Sequence, residues 1–475
     1  MNERFDAAVI GSTVSGLAAA ALLAKAGLRT VLCERSESLV AGGGHAALRA
    51  LDPVLVRSLR LSRHGLKFAQ RDLALTMLKS GGQPLSLPRD RQAAARALAT
   101  LSQVDAAAYA AFRSERLSLA KALRPAWWNG APLAEAAANL KPAQRTRFAR
   151  LAVTSAAAWL STTFESDTLK AALAFDAAAL GFAPSEPGSA LALLWSAAQE
   201  MSGLQGAVAI PRGGNGALLQ ALAEAAQRAG ADLRTSASVA ALHTIGNSIS
   251  GVDLASGERI EASVVVSALP RRLTLETLAP TALIGLGVAA AQRAPAIGSV
   301  CLVMGLNRSP EFGGAATLGD KRIVVAEKLE TYEAALAAAR LGRMPEEPVI
   351  ELVLPPAEKT AHQLASRLLL HVRVWPVPLG AAYDRDALIR TVTQMIERHV
   401  PGFGGGIASC DAAPPDALQP SIDRLSAPAE VRVTTAIRGL YVCGSDTEPA
   451  DAISGRSARH AARAAVAYLR NGAAA

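Results

Sequence analysis

Residues 7–34 read AAVIGSTVSGLAAAALLAKAGLRTVLCE, and this stretch decides the fold. Ala7 to Ile10 is a short apolar run of strand length, and Gly11 to Gly16 is a turn bounded by glycine at both ends. Leu17 to Ala26 is an alanine-rich helix closed by Gly27, and Thr30 to Cys33 is a second apolar strand that ends at Glu34. Strand, glycine turn, helix, strand and terminal acid make the opening βαβ unit of a dinucleotide-binding domain. In such a unit the backbone N–H groups of the turn and the positive end of the helix hold a diphosphate. The terminal carboxylate accepts hydrogen bonds from ribose hydroxyls. Gly11, Gly16 and Glu34 occupy those places, with Ser12, Thr13, Val14 and Ser15 between the glycines and Arg35 after the acid. Thr13 stands where the middle glycine of G-x-G-x-x-G is usual, so the strand–turn–helix–strand context carries more weight than the motif. A glycine turn that only packs a helix onto a strand is the competing reading of the same residues.

Outward from this unit, the chain changes texture. Gly42-Gly43-Gly44 precedes a long region of Ala/Leu-rich helical character, covering 89–123 and 142–160. There Ser102 with Asp105 forms an N-terminal cap, and Pro125 stops the helix that follows. From 207 to 280 the α/β texture returns: Pro211 to Gly216 opens a helix, and strand-like runs follow at 232–235, 248–254, 258–260 and 263–267. Runs at 297–306, 323–326, 349–354 and 369–375 predict a second, mostly antiparallel sheet. A helix over 384–398, a strand from Gly439 to Cys443 and a helix from Arg456 to Leu469 complete the chain.

Composition limits the function classes. At 475 residues with 51% hydrophobic and 19% charged residues, the chain is globular and large enough for two joined domains. Its net charge of +9 favours anionic partners, but the charge is scattered and no basic run carries interleaved aromatics. Nucleic-acid binding is therefore not expected. Cys33, Cys301, Cys410 and Cys443 form no C-x-x-C pair, and the seven histidines show no metal-ligand spacing. Ala7 to Ala24 is uncharged but changes period in its middle, and Glu3 and Asp6 spoil a signal-peptide start, so a cytoplasmic protein is expected. Arg57, Arg60 and His64 recur at helical spacing, with Lys67 and Arg71 just beyond, and form either a solvated basic face or a peripheral membrane contact.

Further pieces run in order along nearly the whole chain. They are His64-Gly65-Leu66, Pro84-Leu85-Ser86-Leu87-Pro88-Arg89-Asp90 and Ser102-Gln103-Val104-Asp105-Ala106. They continue with Pro211-Arg212-Gly213-Gly214-Asn215-Gly216-Ala217-Leu218, Val264-Val265-Val266-Ser267-Ala268, Pro401-Gly402-Phe403 and Gly439-Leu440-Tyr441-Val442-Cys443-Gly444. With the N-terminal run, they resemble the phytoene-dehydrogenase-like FAD-dependent oxidoreductases, relatives of carotenoid desaturases and flavin amine oxidases. The resemblance implies an α/β fold with a Rossmann-like, p-hydroxybenzoate-hydroxylase-like FAD-binding domain assembled from residues 1–60, 205–285 and 425–475. It implies an inserted α+β substrate domain from residues 61–204 and 286–424. FAD is the implied cofactor. Gly42, Gly43 and Gly44 would cover it, with His45 beside them, and Val239 would meet the adenine through its backbone. Gly444 and Asp446 would close on the pyrophosphate and ribitol, and Ile453 and Ser454, with Gly455, would lie near the isoalloxazine ring. The chain departs from the family pattern at Thr13, at Thr447-Glu448-Pro449-Ala450-Asp451-Ala452 where relatives read like T-H-P-G-G-G, and at Arg456-Ser457, where they carry a small residue and proline.

The function expected is an FAD-dependent oxidoreductase, dehydrogenase- or desaturase-like, that passes hydride from an apolar organic substrate to flavin. Trp159, Phe164, Phe175, Phe182 and Trp195 would line an apolar cavity or form plain core. The charged replacements near the ring motivate a rival, a flavin-free family member acting as partner subunit or scaffold. A protein partner or homodimer stays open with either.

Overall fold

Ala7 to Ile10 forms the centre of strand β1 (Glu3–Ile10), and the glycine turn delivers the chain into helix α1 (Val14–Lys25) and strand β2 (Thr30–Cys33). The computed structural model describes residues 3–40, 47–79, 83–279, 297–308, 310, 312, 321–354, 366–376, 384–412, 416–418, 425–444, 447 and 454–472. β1 pairs in parallel with β2 on one side and with Arg259–Ser267 on the other. β2 pairs in parallel with Asp232–Arg234, and Leu440–Val442 lies parallel to the end of Arg259–Ser267. A meander of Val239–Ile245, Ser248–Leu254 and Arg259–Ser267 completes this seven-stranded sheet.

The apolar runs of β1 and β2 follow from burial on both faces. Ala7, Val9 and Leu32 face a core shared with α1, with helix Gly214–Arg228 and with helix Arg456–Gly472. Ala8, Ile10, Val31 and Cys33 face the opposite side, against Leu242, Ile249 and Val252 of the meander. Alanine on every side of α1 lets two helices and a sheet approach it at once. Cys33 and Cys443 are buried thiols in these layers, each pushed up to about 12 chiefly by burial, and neither is a nucleophile at neutral pH.

The second sheet is eight-stranded and, as the sequence predicts, mostly antiparallel. Its order runs Ile407–Ala412, Ile297–Leu306, Ser366–Pro376, Ile350–Val353, Lys321–Val325, Ala74–Met77 and Leu85–Leu87, with Asp416–Leu418 beside the start of Ile297–Leu306. Among the described residues, the one parallel pair of this sheet joins Ala74–Met77 to Lys321–Val325. A helical layer from Arg91 to Ala198 packs on this sheet through Leu and Ala with buried Phe112, Trp159, Phe164, Phe175 and Trp195. No described helix is long and apolar enough to cross a membrane.

Two local readings of the sequence are corrected. Arg57, Arg60 and His64 do not share one helix face, because helix Pro53–Ser58 ends at Leu59 and Arg60 takes a left-handed backbone (φ 51°) before a short 3-10 turn, Leu61–His64. Ser102 does cap helix Gln103–Ala122, its Oγ accepting from Asp105 N at 3.1 Å. The Asp105 carboxylate, however, accepts from Glu165 N and Ser166 N at 2.8 Å each, tying two helices together instead of completing the cap.

The C-terminal helix is docked by a buried clamp. Asp52, fully buried, accepts from Val54 N (2.9 Å) and from Arg459 Nε (2.7 Å), and its own N–H donates to Ser454 O (2.9 Å). His460 lies one residue on, buried, its pKa pushed down to about 3 by burial and by the cations of Arg459, Arg432 and Arg456. An imidazole held neutral in the fold stabilises it fully above the ordinary value of 6.5, and that stability is lost as pH falls from there towards 3. The loss reaches about 2 kcal/mol at pH 5. Thermal unfolding between pH 7 and 4.5 is therefore expected to show a steeper fall in Tm for the wild type than for His460→Gln. Equal slopes would contradict this.

Candidate functional site

The carboxyl ends of the parallel strands converge on one place, where open α/β sheets bind ligands. Gly11 N donates to Cys33 O and Ala268 N to Ile10 O, both at 2.9 Å, and Cys443 N donates to Ser267 O at 2.8 Å. These bonds gather the ends of β1, β2, Arg259–Ser267 and Leu440–Val442. Gly11 takes a φ of +91°, open to glycine at little cost. A Cβ on Gly16 would lie 1.9 Å from Gly11 O, so only glycine lets α1 start this close to β1.

Thr13 needs no glycine backbone: its φ of −66° and ψ of 170° are extended. It is the N-cap of α1, with Oγ1 turned back to accept from Gly16 N at 3.1 Å. The N–H groups of Val14 and Ser15, in the first turn, have no acceptor within the helix. Ser15 Oγ is buried at this mouth with no hydrogen-bond partner among the described residues. Unspent backbone donors, an orphaned hydroxyl and the helix dipole fit a diphosphate. Thr13→Ala is expected to cost about 1 kcal/mol through the lost cap, and Thr13→Gly only a few tenths. Denaturant midpoints measure both.

Glu34 stands at the end of β2. Ser12 N donates to its Oε2 at 2.7 Å and Ser36 N to its Oε1 at 2.8 Å. Burial opposes ionisation, but these backbone donors outweigh it and hold the carboxyl below its ordinary value. Two donors leave lone pairs free on a carboxylate for two further hydroxyls. Ala237 N donates to Glu34 O at 2.8 Å, which brings the segment ending at Val239 alongside, while Arg35 is exposed.

Gly444 (φ +114°) follows the last parallel strand, and its N–H donates to Ser457 Oγ at 3.0 Å. Ser457 thereby holds the strand end to the first turn of Arg456–Gly472. Ser454 Oγ accepts from Arg456 N at 3.0 Å. A Cβ on Gly455 would lie 3.7 Å from Val14 Cγ1, which sets this segment beside the start of α1. Arg456 is buried; its Nη2 donates to Gln199 Oε1 at 3.0 Å and its guanidinium lies 5.8 Å from the Trp128 ring centre. The structure thus brings together Gly11, Ser12, Thr13, Val14, Ser15, Gly16, Glu34, Gly444 and Ser454, with Val239 at the Glu34 edge. Gly42, Gly43, Gly44, His45, Asp446 and Ile453 lie outside the described residues.

Beyond Arg456 and Gln199 lie two cavities whose lining differs from the one expected from the sequence. An inner cavity of about 30 Å³ is lined by Gln199, Arg49 and Trp195, and an outer one of about 130 Å³ by Leu75, Tyr109, Phe112, Arg113 and Leu173. Asp176, Gly206 and Arg322 line both. Of the five aromatics expected to form cavity wall or core, Trp195 alone lines either of these two; the others pack in the core. Buried ions cross between the layers: Arg116 pairs with Asp176, and Arg49 and Arg373 with Glu351. Arg322 lies 3.5 Å from Glu351 and 3.7 Å from Asp176. Asn215, near the start of helix Gly214–Arg228, is also newly placed: its Oδ1 is buried without a partner, and the neighbouring Gly216 lies against Val40.

Comparison with known proteins agrees with this geometry. Over 99% of its length the chain is 26% identical to pyridine nucleotide-disulfide oxidoreductase domain-containing protein 2 of Mus musculus, covering 95% of that protein. An oxidoreductase from Methanosarcina mazei superposes with a TM-score of 0.57 at 15% identity, over 97% of this chain and 99% of that one. Cyclohexylamine oxidase from Brevibacterium oxydans IH-35A gives 0.56 at 16% identity, over 98% and 99%. These two likenesses establish the shared fold. The family model of flavin containing amine oxidoreductases matches residues 54–401, so the chain belongs to that family and is an FAD-dependent oxidoreductase.

Proposed function

We propose that the enzyme removes a hydride from a C–H bond, and a proton from the neighbouring carbon or heteroatom, of a small organic substrate whose apolar body lies in the outer cavity. The observation that carries this is the pair of cavities that share Asp176, Gly206 and Arg322, one walled by Leu75, Phe112 and Leu173 and the other by Gln199, which bonds to the first residue of the helix closing the dinucleotide site. FAD, when bound, supplies the hydride acceptor.

In this reading residues 1–60, 205–285 and 425–475 hold the cofactor, and 61–204 and 286–424 hold the substrate. The α1 mouth, from Gly11 to Gly16, takes the diphosphate, and Glu34 the adenosine ribose. Gly42, Gly43, Gly44 and His45 cover the cofactor, Val239 borders the adenine, Gly444 and Asp446 close on the diphosphate side, and Ile453 and Ser454 border the ring. Gln199 and Arg456 are positioning residues, since they join the closing helix to the substrate chamber. The apolar wall excludes water from the reacting bond. The dehydrogenase- or desaturase-like chemistry rests on the motif resemblance, and the amine-directed alternative on the family.

Anaerobic mixing separates these. The flavin-loaded protein is expected to lose its absorbance with at least one member of a panel of amines, alcohols and unsaturated apolar compounds, and to regain it in air or with a quinone. Full retention of oxidised flavin across the panel would contradict the assignment.

A further inference from the structure

We propose that the outer cavity recognises an anionic end of the substrate, a carboxylate or phosphate group, through Arg113, with Arg116 and Arg322 around it. This rests on reading the cavity as the substrate chamber, and it names the chemical class of what enters.

Among the described residues, Arg49, Arg113, Arg116 and Arg322 gather about the two cavities against two carboxylates, Asp176 and Glu351, and Glu351 is shared with Arg373. Asp72, at the outer rim, is already engaged by Arg89 through bonds of 2.5 and 3.2 Å. Among the described residues, Arg113 pairs with no carboxylate. Its Nη2 donates to the neutral Arg89 carbonyl at 2.7 Å, and its Nη1 is buried with no acceptor. The Nε groups of Arg49 and Arg322 are buried without acceptors as well. Buried guanidinium donors are normally satisfied, because an N–H taken out of water without an acceptor loses the hydrogen bonds it had there.

Protonation changes do not remove the excess. Burial works against Asp176 and Glu351, but their arginines outweigh it and keep both carboxyls ionised. Arg49 falls to about 10, chiefly by burial, and stays cationic at neutral pH. Tyr109 and Tyr332 are raised by burial, so neither phenol supplies an anion.

A purely architectural network would account for Arg116, Arg322 and Arg49, which tie helix to sheet. It does not account for Arg113, which among the described residues bonds to no carboxylate and whose buried donor has no acceptor there. Leu75, Phe112, Leu117 and Leu173 give the same cavity an apolar stretch of wall. The ligand that satisfies both is amphipathic: a short hydrocarbon body and a negatively charged end.

The test uses four probes of matched chain length: hexanoate, hexyl phosphate, hexanamide and hexylamine. Each is titrated into the flavin-loaded protein at constant ionic strength and read by calorimetry and by perturbation of the flavin spectrum. At least one anion is expected to bind roughly ten- to hundred-fold more tightly than the amide or the amine. Preference between hexanoate and hexyl phosphate identifies the group. Arg113→Gln is expected to erase most of that advantage while flavin content and Tm hold, and Arg113→Lys to restore part of it. Preference for the amine, no anion binding, or anion binding unaltered by Arg113→Gln overturns the proposal. A chain that takes up no FAD sinks the redox reading alone, because calorimetry still reports whether anions bind.

Discussion

Glu351→Ala is expected to destabilise the folded chain by about 3–5 kcal/mol, the range found when one partner of a buried ion cluster is removed. Glu351 lies on strand Ile350–Val353, only 2% exposed, and takes Arg49, Arg322 and Arg373 on its two oxygens. Removing it leaves three guanidiniums facing one another between sheet and helices, with Asp176 as the remaining described carboxylate of the cluster. Glu351→Gln keeps the shape and the acceptor but not the charge, so most of the loss should persist. Denaturant unfolding with an unchanged m-value reads the effect. A loss under about 1 kcal/mol would mean that the cluster is screened by solvent to the level of a surface pair. Acid gives a second reading. Both carboxyls are held below their ordinary values of 4.5 and 3.8, so their stabilisation is complete above those values and is lost as pH falls below them. The His460 loss begins higher, from 6.5, and therefore comes first on acidification.

Gly16→Val is the second large effect. Any side chain places its Cβ 1.9 Å from Gly11 O, and backbone cannot swing aside as a flexible side chain can. The turn must open. That costs about 1–3 kcal/mol as overpacking, and it moves the N–H groups of the α1 mouth away from the diphosphate. Loss of FAD by at least about 100-fold in affinity is expected, since several charge-assisted bonds go together. Gly27→Ala is the control: its φ of +87° strains any side chain, but a Cβ there meets nothing within 4 Å, so it should lower Tm and leave FAD binding intact. Equal flavin loss in both variants would mean general destabilisation and not a broken cradle.

The two halves of the site differ in how far the sequence discloses them. The dinucleotide side is written contiguously: an apolar strand, two glycines at fixed spacing and an acid after the next strand each have one local physical reason. The substrate side is not. Arg49, Arg113, Arg116, Asp176, Arg322 and Glu351 come from five separate segments and meet only when helices fold onto a sheet. The trace they leave is a lone charge in an apolar run, such as Asp176 in Ala174-Phe175-Asp176-Ala177 or Glu351 in Val349-Ile350-Glu351-Leu352. A buried position that keeps its charge needs a partner, which is the signal that could have found them. Ala74–Met77 escaped for a related reason: its pairing partners include Lys321–Val325, far along the chain, so tertiary pairing and not local period makes it a strand. Arg60 shows the reverse limit, since helical spacing was present but one left-handed residue ended the helix.

Flavin content measures the central claim most directly. Protein purified from a riboflavin-rich host, denatured to release its cofactor and analysed by mass, is predicted to yield stoichiometric FAD, with none retained by Gly16→Val. A well-folded wild-type chain that emerges colourless and refuses added FAD would contradict the account.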